Sequence, residues 1–141
     1  MSDARVRQVC EAQWDAHKAD CSGFAKAVAG ALGVPLVGTA NEIADALRAG
    51  AGWVVLADGI DAARAAREGR LVVAGLRGEQ QRHVSAHGHV VVVVDGVLAH
   101  GKYPPAYWGQ LGNVGKKDTT LNFAWNAQDR DRITYAQHEL A

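Results

Sequence analysis

Apolar residues recur every three to four positions in the first half of the chain, and they form continuous or alternating runs in the second half. The first spacing is typical of amphipathic helices and the second of β-strands. Helices therefore lead and strands follow, without long crossover helices between the strands, which predicts an α+β fold with an antiparallel sheet. We expect residues 1–141 to form one domain, because no linker, repeat or low-complexity run divides them.

Four helices are predicted, each with recognisable ends. The first runs from Ser2 to about Lys18 behind a serine or aspartate cap, and Cys10 lies on its apolar stripe. The second runs from about Cys21 to Leu32 and ends where a glycine suits a left-handed cap. The segment "TANEIADALRAG" predicts the third helix, with Thr39 or Asn41 as its cap, and "GIDAARAAREG" predicts the fourth. Each of them ends at a glycine.

Strands are predicted after Gly69, in "RLVVAGLR", "HVVVVVDGVLAHGKY", "TLNFAWN" and "ITYAQHEL". The second of these segments is interpreted as a hairpin with Asp95 and Gly96 as a two-residue turn. Its valine run is apolar on both faces, which is typical of a central strand. The segments "GEQQRHVSAHG" and "PPAYWGQLGNVGKKD" are expected to be surface connections because they are rich in glycine, proline and polar residues.

The charge balance limits the partners of the chain. Fifteen basic residues offset fifteen acidic ones, and no basic stripe is present, so nucleic acid is not an expected partner. The first residues, "MSDARVRQVC", lack the apolar core of a secretion signal, and no run of about eighteen apolar residues follows. We therefore expect a chain that is made in the cytoplasm without a signal peptide and does not insert into membranes.

The two cysteines have different predicted roles. They are too few for a disulfide framework, and Cys10 is expected to be a small buried hydrophobic residue. Cys21 lies in the first turn of a helix, where outward N–H groups and the helix dipole favour the thiolate and can receive an oxyanion. Asp20 is placed to cap this helix, although its charge opposes thiolate formation, and Gly23 is expected to leave space beside the sulfur. A buried structural cysteine is the alternative for Cys21.

His89, at the head of the valine run, is the candidate general base, because a histidine at the rim of a central strand can face a helix N-terminus. In the predicted hairpin Val91 pairs with His100, which places His100 on the same face as His89. Cys21, His89 and His100 are thus candidates for nucleophile, base and orienting group. A solvated strand end is the alternative for His100, and a one-residue shift in register moves it to the opposite face.

A metal site at the nearby histidines is not expected. His83, His87 and His89 have too few acidic or thiolate partners, so His83 and His87 are interpreted as loop histidines flanking the mouth of the site.

The pair "DCSGF" and "HGHVVVVVDG", with the cysteine helix first and the histidine strand about seventy residues later, resembles the NlpC-type branch of papain-like cysteine peptidases. Those are bacterial enzymes that cut cell-wall peptides. Over nearly its whole length the chain is similar to family 1 of the type VI secretion amidase effectors, toxins injected into neighbouring bacteria to degrade peptidoglycan. This likeness is carried by "CEAQWD", "DCSGFAKAVAGALGVP", "AARAAREGRLVVAGLRG", "GHVVVVVDG", "KYP" and "WNAQDRDRITY".

The resemblance implies a papain-like fold in which Cys21 is the nucleophile and His89 the general base. It implies hydrolysis of the γ-D-glutamyl to meso-diaminopimelate bond of the peptidoglycan stem peptide, without a cofactor. It also implies export by the type VI secretion apparatus, action in the periplasm of the target bacterium, and a cognate immunity protein that plugs the cleft.

Four side chains are candidates for contacting the stem peptide: Asp20, Ser22, Tyr103 and Trp108. Trp53 and Tyr107 are further candidates for lining a groove, with ordinary packing as the alternative for all the aromatic residues.

Other functions remain open at this stage. The same chemistry suits an acyltransferase or transpeptidase, and the diaminopimelate to D-alanine cross-link is an alternative bond. A catalytically inactive relative would be a binding module for cell-wall peptide or a protein partner. A redox sensor at Cys21 would require a resolving thiol, which Cys10, on the buried stripe of another helix, is poorly placed to supply.

Overall fold

A computed structural model describes residues 4–141 of the chain, so the predicted cap of the first helix at residues 2 and 3 lies outside the described residues. All four predicted helices are present. They are α1 (Ala4–His17), α2 (Cys21–Ala31), α3 (Ala40–Arg48) and α4 (Gly59–Arg67). Short 3₁₀ turns occupy Gly78–Gln80 and Leu121–Phe123.

The helix ends are fixed by the capping residues that the sequence predicts. The Asp20 carboxylate accepts the backbone N–H of Gly23 at 3.1 Å. At the start of α3, Thr39 and Glu42 form a reciprocal capping box. Gly33, directly after the C-cap of α2, has a φ of +78° and so supplies the left-handed residue that ends the helix.

Within residues 4–141, six antiparallel strands form one sheet in the order β1-β6-β2-β3-β4-β5. The strands are β1 (Val54–Leu56), β2 (Leu71–Leu76), β3 (His89–Val93), β4 (Pro105–Trp108), β5 (Lys116–Thr120) and β6 (Thr134–His138). The α+β class with an antiparallel sheet is confirmed.

The sheet is covered on both faces, which explains the continuous apolar runs in β2 and β3. Val90 and Val92 pack with α1, α2 and α3 on one face. Val91 and Val93 pack on the other face with α4 and the aromatic residues that follow β3 and β5. Burying each valine contributes about 1.5–3 kcal/mol relative to leaving it exposed. The N-terminal end of α2 and the first residue of β3 are thereby held on a rigid frame.

The predicted hairpin after the valine run is wrong. β3 pairs with β4, so that Val92 lies opposite Tyr107 and Val93 opposite Ala106. Residues 94–104 form a loop, closed by a bridge between Ala99 and Tyr103. The physical reason is burial: all four residues of β4 are buried, whereas Val97 is 88% exposed. Pairing of β3 with the apolar segment after the loop therefore buries more apolar surface than pairing with the residues next to the turn signal.

Three further expectations about strands were incomplete or wrong. The segment 104–118, for which the sequence predicts a surface connection, contains β4 and the first three residues of β5, although β5 is an exposed polar edge strand. Residues 120–126 were predicted as a strand, but Leu121 and Trp125, four residues apart, are buried through a 3₁₀ turn. The short edge strand β1 was not predicted. No helix among residues 4–141 is long and apolar enough to cross a membrane.

Candidate active site

The structure brings Cys21 and His89 to the wall of one cavity. Cys21 is the first residue of α2 and His89 is the first residue of β3. Both line a cavity of about 360 Å³, here called the His89 cavity, together with His87, Trp125 and other residues. The backbone of Val90, the next residue along β3, interacts with the Cys21 thiol. The packing of α2 across β3 is therefore what juxtaposes two residues that are distant in sequence.

A second cavity of about 350 Å³, here called the Asp20 cavity, also has Cys21 in its wall. Asp20, Ser22 and Asn41 contribute to its wall. The two cavities share four residues, which are Cys21, His87, Gly88 and Leu111. The two cavities therefore adjoin at Cys21, and together they are here called the cleft.

Burial raises the pKa of the Cys21 thiol above its ordinary value. The backbone of Val90 lowers the pKa and the Asp20 carboxylate raises it, but burial is the largest effect. Cys21 is only 6% exposed. The sequence predicts that the helix N-terminus favours the thiolate, but loss of hydration acts on the pKa in the opposite direction and is the larger effect.

The His89 imidazole is half-buried, and burial lowers its pKa to about 4. Its ring meets Trp125 edge-on, with centroids 5.2 Å apart, and Trp108 in the same manner at 6.4 Å. At neutral pH the thiol is protonated and the imidazole is uncharged, so the pair rests without charge separation. A proton would pass from sulfur to imidazole only during attack on a substrate.

The lowered pKa of His89 predicts a loss of stability in acid. The unfolded chain binds this proton below about pH 6.5, whereas the folded protein binds it only near pH 4. The free energy of unfolding should therefore fall as the pH falls from 6.5 to about 4, and a His89→Gln variant should lack this contribution. Denaturant titrations of both proteins above pH 6.5 and near pH 4 check this. An equal acid loss in both would contradict it.

Two polar residues hold the loop that leads into β3. Asn41 of α3 donates to the carbonyl of Ala86 at 3.0 Å and accepts the N–H of Gly78 at 2.9 Å. Asp129, which is 3% exposed, accepts the N–H of Arg82 at 2.7 Å. Sequence reasoning missed these supporting roles, because each side chain bonds backbone groups 37 to 47 residues away.

The turn before Cys21 is held by the loop after β4. The N–H groups of Gln110 and Gly115 both donate to the carbonyl of Lys18, at 3.0 Å and 2.7 Å. Gly23 plays a different part from the one expected. A Cβ there would lie 2.5 Å from the Asp20 carboxylate, so this glycine makes room for the cap and not for the sulfur.

His100 does not lie beside His89 in the structure. It is exposed, has a φ of +52°, and lies in the loop 94–104 that leaves the far end of β3. Its ring contacts Tyr103, with centroids 6.0 Å apart. The predicted pairing of Val91 with His100, which placed His100 beside His89, is wrong because β4 is the partner of β3.

Of the candidates for contacting a substrate, Asp20 and Ser22 line the cleft. Tyr103 and Trp108 are 2% and 0% exposed, so the prediction that they contact the stem peptide does not fit the structure. The aromatic residues are packed instead: Tyr103 donates to Asp131 at 2.6 Å, Tyr107 to Glu11, and Trp53 stacks edge-on against His138.

Of the remaining thiol and histidines discussed above, His87 lines the cleft, and the others do not. Cys10 is fully buried, as predicted, and burial raises its pKa. His87 lines both cavities, whereas His83 is exposed on the same loop. Among residues 4–141, no three histidine, cysteine, aspartate or glutamate side chains converge as metal ligands.

The architecture, with a cysteine at a helix N-terminus packed on an antiparallel sheet, is compatible with the papain-like class of α+β proteins. No protein-family model matches the chain. The chain is 38% identical over 150 residues to "Peptidoglycan amidase Tse1" of Pseudomonas aeruginosa, a match that covers 99% of this chain and 92% of that protein. The chain belongs to family 1 of the type VI secretion amidase effectors.

Proposed function

We propose that this chain is an antibacterial effector whose residues 1–141 form one NlpC-type amidase domain that hydrolyses peptidoglycan. The observation that carries the proposal is that Cys21, at a helix N-terminus, and His89 line the same cavity. The likeness to a peptidoglycan amidase over nearly the whole of both chains supports the same activity. The bond cut is the amide between γ-D-glutamate and meso-diaminopimelate.

Catalysis begins when His89 takes the proton of the Cys21 thiol as the sulfur attacks the glutamyl carbonyl carbon. N–H groups in the first turn of α2 have no acceptor within the helix, so the N–H of Cys21 is available to the oxyanion. The tetrahedral intermediate collapses to a thioester when the leaving nitrogen receives the proton from His89. His89 then takes a proton from water, which attacks the thioester and frees the thiol.

Proton transfer from His89 to the leaving nitrogen also determines which way the stem peptide lies in the cleft. His89 must reach the leaving nitrogen, so the diaminopimelate part of the stem peptide occupies the His89 cavity. The glutamyl part then extends into the Asp20 cavity, where Asp20 and Ser22 are candidates to contact it.

The biological setting follows from the family. The type VI secretion apparatus exports the effector, which acts on peptidoglycan in the periplasm of the target bacterium. A cognate immunity protein protects the producing cell by occupying the cleft. Family membership supports both partners, and the two cavities that Cys21 lines give the immunity protein a surface to cover.

A synthetic stem tetrapeptide, incubated with the protein in the presence of an added primary amine, tests the reaction. We expect mass spectrometry to detect L-alanyl-D-glutamate and the diaminopimelyl-D-alanine fragment as free acids. A glutamyl amide of the added amine would indicate an acyltransferase. An intact tetrapeptide, with cleavage of a cross-linked dimer between diaminopimelate and D-alanine, would move the cut to the cross-link bond. Binding without cleavage of either peptide would identify a binding module.

A further inference from the structure

We propose that the indole rings of Trp125 and Trp108 position the imidazole of His89, in the place of a polar third residue. The inference rests on the proposed function, because it concerns the base of that reaction. Trp108 is the last residue of β4, and Trp125 follows the 3₁₀ turn after β5. The two rings therefore approach His89 from separate parts of the chain.

Two tryptophan rings contact the imidazole, although polar side chains such as Gln110 and Asn126 line the same cavity. Its plane meets the Trp125 ring at 69° and the Trp108 ring at 88°, with centroids 5.2 Å and 6.4 Å apart. Within residues 4–141, no side chain or backbone group forms a hydrogen bond with the His89 imidazole. Edge-to-face contacts of this kind are favourable and directional, so they restrict the rotation of the ring.

Both tryptophans are themselves fixed. Trp108 is fully buried, and its carbonyl accepts the indole N–H of Trp14 in α1 at 3.0 Å. Trp125 is 7% exposed and packs in the same core cluster as Leu121. The two indole rings are therefore fixed in place and can restrict the orientation of the His89 imidazole.

Both indole nitrogens are buried without a hydrogen-bond partner. An unsatisfied buried donor is unfavourable, and phenylalanine would avoid that cost at either position. The contact with His89 uses the ring of Trp125 and not its N–H. A phenylalanine should therefore replace Trp125 with little loss, whereas an aliphatic side chain should not.

The variants Trp125→Leu and Trp125→Phe test the proposal, with Trp53→Leu as a matched control. Trp53 is equally buried and also packs edge-on against a histidine, His138, but it lies outside the cleft. Kinetics on the stem peptide and nuclear magnetic resonance titration of His89 are measured for each protein. The titration requires no activity, so it separates failure of this proposal from failure of the proposed function.

In Trp125→Leu we expect kcat to fall by about 10- to 100-fold with a much smaller change in KM. The pKa of His89 should rise from about 4 toward 6.5, because water enters beside the ring. Trp125→Phe should stay within about threefold of the wild type, and Trp53→Leu should match it per folded molecule.

A Trp125→Leu variant that raises KM alone and leaves the pKa of His89 unchanged would overturn the proposal, since Trp125 would then only line the cavity. If this variant does not fold, nuclear Overhauser contacts in the wild type decide. Contacts between the imidazole protons of His89 and the indole protons of Trp125 support the proposal. Their absence overturns it.

Discussion

Replacing Cys21 with alanine is expected to lower kcat/KM for a stem peptide by at least about 10³-fold. The sulfur is the atom that becomes bonded to the substrate, and no other thiol faces the cleft among the residues that line it. Cys21→Ser should be nearly as inactive, because a hydroxyl at the same place is far harder to deprotonate. Progress curves with the synthetic tetrapeptide, followed by separation of the products, measure both variants.

Cys10→Ala is the matched control for the loss of a thiol. Cys10 is fully buried in the core cluster and does not line the cleft, so its removal should leave kcat/KM per folded molecule within about twofold. Circular dichroism establishes that each variant is folded. Activity in folded Cys21→Ala comparable to the wild type would contradict the assignment of the nucleophile.

Substituting Gly109 with alanine is expected to damage both stability and catalysis, although the residue is not part of the cleft wall. A Cβ at this position would lie 2.5 Å from the carbonyl oxygen of Asp20 and closer still to that of His17. The loop after β4 must then move away from the turn that precedes Cys21. We expect a loss of about 1–3 kcal/mol in the free energy of unfolding, as for overpacked cores. Because the thiol is displaced with the turn, kcat should also fall about 10- to 100-fold.

Gly30→Ala is the control for Gly109→Ala. Gly30 is an exposed residue of α2, and a Cβ there meets no atom within 4 Å. Alanine favours a helix over glycine by about 1 kcal/mol, so this change should stabilise the protein slightly and leave kcat unaltered. Denaturant titration and kinetics on both variants provide the comparison. Equal stability and activity in Gly109→Ala and the wild type would show that the close backbone approach is not needed.

Local signals in the sequence were sufficient for the elements that carry the site. The cap at Asp20, the capping box at Thr39 and the terminal Gly33 act within a few residues, so the helices could be predicted from their ends. The valine run likewise marks β3 as a central strand, since both of its faces are buried. Cys21 and His89 could be named because each stands at the beginning of such an element.

The strand partner of β3, the pKa of the Cys21 thiol and the surroundings of His89 depend on non-local packing. A turn signal at 95–96 is convincing by itself, but the burial of residues 105–108 selects another partner for β3 and removes His100 from the neighbourhood of His89. The charge state of the thiol also depends on the folded environment. A helix N-terminus favours a thiolate, but the depth at which Cys21 is buried, which no local pattern reveals, reverses the balance. The same holds for the tryptophans beside His89, which come from two distant segments.

Digestion of purified Gram-negative peptidoglycan by the wild-type protein and by Cys21→Ala, followed by mass spectrometry of the muropeptides, is the most direct measurement. Hydrolysis through Cys21 predicts muropeptides that end at D-glutamate, together with fragments that begin with free diaminopimelate, in the wild-type digest only. Intact muropeptides from folded wild-type protein, or the same cut fragments from Cys21→Ala, would contradict it.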